Sequence, residues 1–144
     1  NSHINNICSK GENKLWFIRR ELKLASTKTK LTAYLALVRP TLEYARVIWD
    51  PYQAKQIDKI EKVHRRAARF LLSKYRYTDT VTDMLHELQL TPLSKRRKIA
   101  RLKFLYLLYN NHFNINTSPY LQQRSCRPVR SSHSYQVTPM NVRV

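Results

Sequence analysis

Apolar residues recur every three or four positions through most of the first 110 residues, which is the spacing of one face of an α-helix. This spacing predicts five helical segments, with approximate bounds 3–24, 28–49, 53–74, 80–88 and 91–110. Ser26 or Thr27 can cap the second segment, and Thr91 followed by Pro92 suits the start of the fifth. The pattern therefore predicts an all-α fold of about five helices.

Two residues weaken the helical pattern. Gly11 lies inside the first segment, and glycine is a poor helix former. Pro40 lies inside the second, where it removes a backbone donor and clashes with the preceding turn, so we expect a kink or break there. After Asn110 the helical periodicity stops. We predict a helical domain over residues 1–115, followed by an irregular basic tail over residues 116–144 that orders only on a partner.

The composition favours the same fold class. The hydrophobic fraction of 42% is sufficient for a core, so wholesale disorder is not expected. The chain has one glycine, although average usage would give about ten in this length. Because tight turns with positive φ depend on glycine, this scarcity argues against a hairpin-rich β fold.

The chain begins with Asn1 and its first methionine is Met84, so we expect it to be part of a longer protein. Residues 1–15 contain no continuous apolar run, and no stretch is long and apolar enough for a membrane span. Cys8 and Cys126 are far apart in sequence and indicate no disulfide framework. We therefore expect an intracellular protein, cytoplasmic and nuclear, that is neither secreted nor bound to a membrane.

Charge is the feature that points to a partner. The chain carries 27 Lys and Arg against nine Asp and Glu, which gives a formal net charge of +18. Cations recur along one face of the third predicted helix, opposite an arc of apolar residues. This cationic face consists of Lys55, Lys59, Lys62, Arg66 and Arg69, with Arg65 beside it. Such a face suits a polyanion, above all nucleic acid, because neutralised phosphates release counterions. The alternative is a merely solvated helix face.

A second group of cations lies near the start of the fifth predicted helix, where positive charge opposes the helix dipole. From this group Arg96, Arg97 and Arg101 are the second set of expected nucleic-acid contacts. Their unfavourable position indicates an external anion, or else it is tolerated because arginine is a good helix former. The sequence leaves both interpretations open.

Aromatic side chains beside cations can stack on unpaired bases. Tyr75 and Tyr77 flank Arg76 in a polar stretch after the basic helix, and they are the candidates for base stacking. Core packing is instead expected for the aromatic residues inside helical segments, which are Trp16, Phe17, Tyr34, Tyr44 and Trp49.

No catalytic constellation is visible in the sequence. The His3–Cys8 and Cys126–His133 pairs do not have the short spacings of zinc ligands, and His64 is expected at the edge of the apolar face. The acids are scattered, without the carboxylate cluster that a two-metal polymerase or nuclease site requires. Glycine-rich phosphate loops and nucleophile motifs are also missing. We therefore predict no catalytic residue, no metal site and no cofactor for this chain itself.

Several phrases follow one another in a specific order. They include Leu37-Val38-Arg39-Pro40, Val47-Ile48-Trp49-Asp50-Pro51-Tyr52 and Arg65-Arg66-Ala67-Ala68-Arg69-Phe70. In this succession, from its start to about His133, the chain resembles the region downstream of the polymerase core in arthropod non-LTR (LINE-type, jockey/CR1-like) retrotransposon reverse transcriptases. The resemblance implies a C-terminal, thumb-like helical region of an RNA-directed DNA polymerase, which is often fused to an endonuclease. The family's magnesium-binding aspartates belong to an upstream Asp-Asp motif that this chain lacks, so magnesium is implied only for the missing core.

Three positions depart from the family's pattern. Gly11 stands where alanine is usual, Trp16 where glycine is common, and Arg46 where a small residue is common. An arginine on a partly buried helix needs an ion-pair partner, because an unpaired buried charge costs several kcal/mol.

The leading hypothesis is a fragment of a retrotransposon RNA-directed DNA polymerase that binds template–primer or element RNA. Phosphate contacts position a nucleic acid without reading its sequence, so binding should be sequence-tolerant. The expected partners are RNA, DNA and the missing upstream polymerase core. The alternative is a helical protein-interaction module whose cations are only a solvated face or dock an acidic protein. A self-standing helix-turn-helix DNA reader is a third hypothesis, but no short glycine-containing turn joins two of the predicted helices.

Overall fold

The computed structural model describes residues 2–76, 78–113, 115–116 and 121, and within these residues it contains helices and no strands. The predicted all-α fold class is confirmed. The helices are α1 (Ser2–Glu21), α2 (Thr27–Ala33), a π-helical turn (Tyr34–Val38), α3 (Arg39–Glu43), α4 (Arg46–Trp49), α5 (Ala54–Leu72), α6 (Val81–Glu87) and α7 (Leu93–Tyr109). None of the described helices has the length and apolarity needed to cross a membrane.

The chain divides into two compact units, Asn1–Arg101 and Leu102–Val144. This division falls within α7, earlier than the predicted domain boundary after residue 115. In the second unit the rings of Phe104 and Phe113 lie 5.6 Å apart, just before and just after the end of α7. The predicted irregular tail over residues 116–144 lies almost wholly outside the described residues.

The core of the first unit forms around α1 and α5, which pack against each other and run in the same direction. Pairings of Asn5 with Lys59 and of Glu12 with Arg66 fix this direction, because both numbers rise together. The buried positions of α1 follow the expected helical stripe: Ile4, Ile7, Gly11, Leu15 and Ile18. The apolar arc of α5 is buried in the same way, at Ile60, Val63, Ala67, Ala68, Phe70 and Leu71.

Gly11 allows a close helix contact in this core. A Cβ atom at this position would lie 2.7 Å from Cδ2 of Leu42, a fully buried side chain of α3. The residue that weakens α1 by its low helix propensity therefore lets α3 approach the middle of α1.

The second predicted segment contains a confirmed cap and, before Pro40, the π-helical turn. The hydroxyl of Ser26 accepts a hydrogen bond from the Thr29 N–H at 3.2 Å, as expected for the N-cap of α2. The helical path is not broken at Pro40, and a kink there stays a prediction. Pro40 follows the π-helical turn, in which the Arg39 N–H donates to the Tyr34 carbonyl five residues earlier, and this wider turn relieves the clash that proline makes in a regular helix. The break comes later, at Ala45, whose φ is +50°.

Candidate nucleic-acid interface

The cationic face of α5 consists of two parallel rows. Lys55, Lys62 and Arg69 form the outer row: they lie seven residues, or nearly two turns, apart, so each is about 10 Å from the next along one line of the helix. Lys55 and Lys62 are exposed and Arg69 is half-buried. Among the described residues, none of the three forms an ion pair or a side-chain hydrogen bond. The outer row therefore presents three charges that form no ion pair within the described residues.

The inner row, Lys59 and Arg66, points toward α1. The Lys59 ammonium donates to Asn5 Oδ1 at 2.9 Å, and the Arg66 guanidinium pairs with Glu12. Arg65, beside the rows, pairs with Asp58 at 2.5 Å, and this hydrogen bond holds the pKa of the Asp58 carboxyl below its ordinary value. Three of the six residues predicted for this face are therefore already engaged, although their surroundings remain open to solvent.

The second predicted group of cations has a different role. The Arg97 side chain is 1% exposed; its Nε atom donates to Asp50 at 2.8 Å, and its Nη2 atom lies 3.9 Å from Glu61. Arg96 binds both carboxylate oxygens of Glu43, at 2.7 and 3.2 Å. Arg101 is half-exposed and pairs with Asp50 at 2.9 Å. The sequence left open whether cations at the start of this helix indicate an external anion. In the structure, these three arginines pair with acidic side chains of the same chain.

The prediction that this second group contacts nucleic acid is corrected for Arg97, which is buried and cannot reach an external phosphate. For Arg96 and Arg101 it stays a prediction, and both already pair with acids of the same chain. Their partners come from α3, from the residue after α4 and from α5, which are far from α7 in sequence. Spacing along one helix carries no information about such partners, so the sequence could not distinguish an internal anion from an external one.

Arg46 has the partner that a half-buried arginine requires. Its guanidinium pairs with Glu43, which also pairs with Arg96 and lies 3.8 Å from Arg39. The Glu43 side chain is 10% exposed, so three guanidinium groups surround one nearly buried carboxylate.

Tyr34 and His64 form a hydrogen-bonded pair in the core of the first unit. The Tyr34 hydroxyl lies 2.5 Å from His64 Nδ1, and both residues are fully buried. Burial raises the pKa of the Tyr34 hydroxyl well above its ordinary value, and burial lowers the pKa of His64. The hydroxyl therefore keeps its proton, and it shares a hydrogen bond with an imidazole that is neutral. His64, expected at the edge of the apolar face, lies inside the core.

The aromatic residues predicted for the core divide into two groups. Tyr34 is buried as expected, and the half-buried Trp49 packs edge-on against His3 with 5.5 Å between ring centres. The prediction is wrong for the exposed Trp16, Phe17 and Tyr44. Trp16 and Phe17 follow Leu15 directly and lie off the buried stripe of α1.

Of the two candidates for base stacking, Tyr75 is exposed and Tyr77 lies outside the described residues. Tyr75 contributes to a groove of about 620 Å³ between the second half of α1 and the end of α5. Trp16, Phe17 and Phe70 line the same groove, together with Arg19, Arg20 and Lys23. Apart from Tyr75, the residues of this groove are not among the predicted site residues. The signal for them in the sequence is the adjacent pair Trp16-Phe17, which is followed at once by Arg19, Arg20 and Lys23.

Within the described part of the chain, no group of three or more His, Cys, Asp or Glu residues is arranged to hold a metal ion. Comparison with known proteins gave no match to a protein-family model, to a curated protein or to a solved structure. The fold and the surface define the class: this is an all-α protein that carries a row of cations on a well-packed helix. The retrotransposon resemblance remains a prediction.

Proposed function

We propose that this chain is a sequence-tolerant nucleic-acid-binding region without an active site of its own, in which the outer row of α5 contacts phosphates. The observation that supports this most directly is the row itself. Lys55, Lys62 and Arg69 lie on one line of a helix whose opposite face is anchored in the core, and no acid of the described chain pairs with them. A rigid row of unpaired cations matches the regular charge of a nucleic-acid backbone.

The distribution of acids supports the same proposal. All nine Asp and Glu residues are among the described residues, and each has a partner. Seven form ion pairs, namely Glu12, Glu21, Glu43, Asp50, Asp58, Glu61 and Glu87. Asp79 accepts from the Arg76 N–H, and Asp83 accepts from the Thr80 hydroxyl. Because none of these acids forms an ion pair with the outer row, its three charges are available to ions or to another molecule.

Within this proposal the chain is part of a non-LTR retrotransposon RNA-directed DNA polymerase, as its resemblance to that family implies. Its ligand would be template–primer or element RNA. The magnesium-dependent chemistry would reside in the upstream polymerase core, which would be its protein partner.

The proposal predicts a specific salt dependence for the outer row. We expect the triple variant Lys55→Gln, Lys62→Gln, Arg69→Gln to bind single-stranded RNA more weakly, and by a similar factor for different sequences. The slope of log affinity against log salt should flatten by about 2, because each phosphate contact contributes about 0.7 on a single strand. Fluorescence anisotropy at several salt concentrations measures both quantities, and glutamine keeps the helix propensity nearly unchanged.

The matched control is Lys10→Gln, Lys28→Gln, Lys98→Gln, which removes the same charge from three exposed positions on α1, α2 and α7. If both triple variants lose affinity equally, the outer row is only part of a diffuse positive field. If neither RNA nor DNA binds while an acidic peptide does, the chain is a protein-interaction module.

A further inference from the structure

The groove between α1 and the end of α5 combines exposed aromatic rings with cations, and the proposed phosphate contacts do not use it. Trp16 is 65% exposed, Phe17 53% and Tyr75 55%, while Phe70 is 4% exposed and forms the floor. The groove volume of about 620 Å³ lies within the range of ligand sites, roughly 300–1,000 Å³. Trp16, Phe17 and Tyr75 therefore form an exposed aromatic surface that does not contribute to the core.

Cations lie against the aromatic rings of this groove. The Arg19 guanidinium carbon lies 4.9 Å from the centre of the Trp16 ring and 6.0 Å from that of Phe70. Lys23 also lines the groove, and neither Arg19 nor Lys23 forms an ion pair within the described part of the chain. The described lining contains no carboxylate. An occupant that complements this surface must offer both a planar ring and negative charge.

A nucleotide with an unpaired base offers both. In a duplex the faces of the bases are covered by their neighbours, whereas an unpaired base can place a face against an aromatic ring. Arg19 covers only part of Trp16, so ring surface remains for a second planar group. The outer row of α5 ends at Arg69, one residue before Phe70 of the groove floor, so the row and the groove meet at the same end of α5.

We propose that this groove binds an unpaired base of a single-stranded nucleic acid. Trp16 stacks on the base, and Arg19 and Lys23 hold the flanking phosphates. The inference rests on the proposed function, because the phosphates of the same strand lie along the outer row. It adds a preference for single strands that a row of cations alone does not provide.

The test compares two short single-stranded DNA oligonucleotides of equal length, one with bases and one abasic, since both carry the same phosphates. We expect the protein to bind the base-bearing strand about tenfold or more tightly, which is the contribution of a stacked base. Trp16→Ala should abolish this difference and leave both the abasic affinity and the salt slope unchanged. The matched control is Tyr52→Ala, which removes an 89% exposed ring just before α5, away from the groove, and should preserve the preference.

Each outcome separates the groove from the outer row. Circular dichroism checks that Trp16→Ala keeps its helices, as its exposure predicts. If the protein binds both strands equally, the groove inference is overturned. The proposed function remains intact in that case as long as the α5 triple variant binds both strands more weakly. Failure to bind either strand overturns both. A glutamate-rich peptide is measured in the same way. If Trp16→Ala weakens its binding as much as it weakens binding of the base-bearing strand, the groove binds an acidic protein instead.

Discussion

His64 illustrates how one residue adapts to a core that excludes water. The charged imidazolium would lose its hydration there, and this desolvation is the largest cause that lowers the pKa of His64. Glu61 and Glu43 raise the pKa, and Arg39 and Arg96 lower it, but the lowering dominates. The folded protein therefore contains the neutral imidazole, whose Nδ1 atom is hydrogen-bonded to the Tyr34 hydroxyl.

This shift predicts an acid-sensitive core. In the unfolded chain the imidazole takes up a proton near its ordinary pKa of about 6.5, whereas the folded protein requires a lower pH. Between these two values the unfolded state binds more protons, so the free energy of unfolding should fall as pH falls below about 6.5. Urea unfolding across this range measures the effect, and His64→Gln, which keeps an acceptor for Tyr34, should reduce the slope.

The control for this prediction is His86→Gln, since His86 is exposed at the end of α6. It should leave the pH dependence unchanged. An unaltered slope in His64→Gln would show that other groups cause the acid sensitivity.

At the scale of elements, a network of acids and arginines specifies where the first half of α7 packs. Glu43 of α3, Asp50 after α4 and Glu61 of α5 converge on this half of α7, and Glu61 also accepts the Ser94 N–H at 2.6 Å. Desolvating such charges costs about as much as their attraction returns. The network therefore contributes more to the choice of one packing arrangement than to net stability, because any other arrangement leaves charges buried without partners.

Removing one acid of this network should be costly. We expect Asp50→Asn to lower the free energy of unfolding by about 3–5 kcal/mol, because Arg97 would remain buried without its main counter-charge. Urea unfolding measures the change. Asp58→Asn is the matched control: it breaks the ion pair with Arg65 on the surface and should cost about 1 kcal/mol or less. Similar losses in the two variants would mean that Arg97 finds another partner.

The sequence predicted the helices well because helical periodicity is a local property. The buried stripe of α1 at Ile4, Ile7, Leu15 and Ile18 follows directly from their spacing, and so does the two-sided character of α5. The sequence does not decide between a kink and a break at Pro40, and the structure shows no break because the preceding residues form a wider π turn that accommodates the ring. Local patterns therefore predict where a helix forms, but they do not predict how the backbone accommodates a residue such as proline.

Contacts between residues that are distant in the chain could not be predicted from the sequence. The sequence predicts that Arg97 contacts a phosphate, because its partners Asp50 and Glu61 are far away in the chain. It predicts Trp16 and Phe17 in the core because they lie within a helical segment, whereas burial depends on which side of α1 meets α3 and α5. The outer row of α5 could be predicted, because its residues lie on one helix. The groove could not, because it forms only where the end of α5 packs beside α1, and the sequence does not show that packing.

At the scale of the whole molecule, repulsion among the excess cations opposes folding. The net charge is +18, and the described acids are all engaged, so exposed cations repel one another across the surface. The apolar stripes of α1 and α5 provide the opposing free energy through burial. A polyanion that binds the cations would relieve the repulsion, so binding and folding stability should be linked.

This balance predicts that salt stabilises the fold. Sodium chloride shortens the Debye length from about 10 Å at 0.1 M to about 3 Å at 1 M and so screens the exposed cations. We expect the free energy of unfolding to increase over this range, because buried pairs such as Arg97–Asp50 are screened much less than the surface repulsion. The increase should be smaller in the α5 triple glutamine variant, which has three fewer cations to screen. A decrease with salt would mean that surface pairs such as Arg66–Glu12 outweigh the repulsion, and the excess charge would then impose little strain for a nucleic acid to relieve.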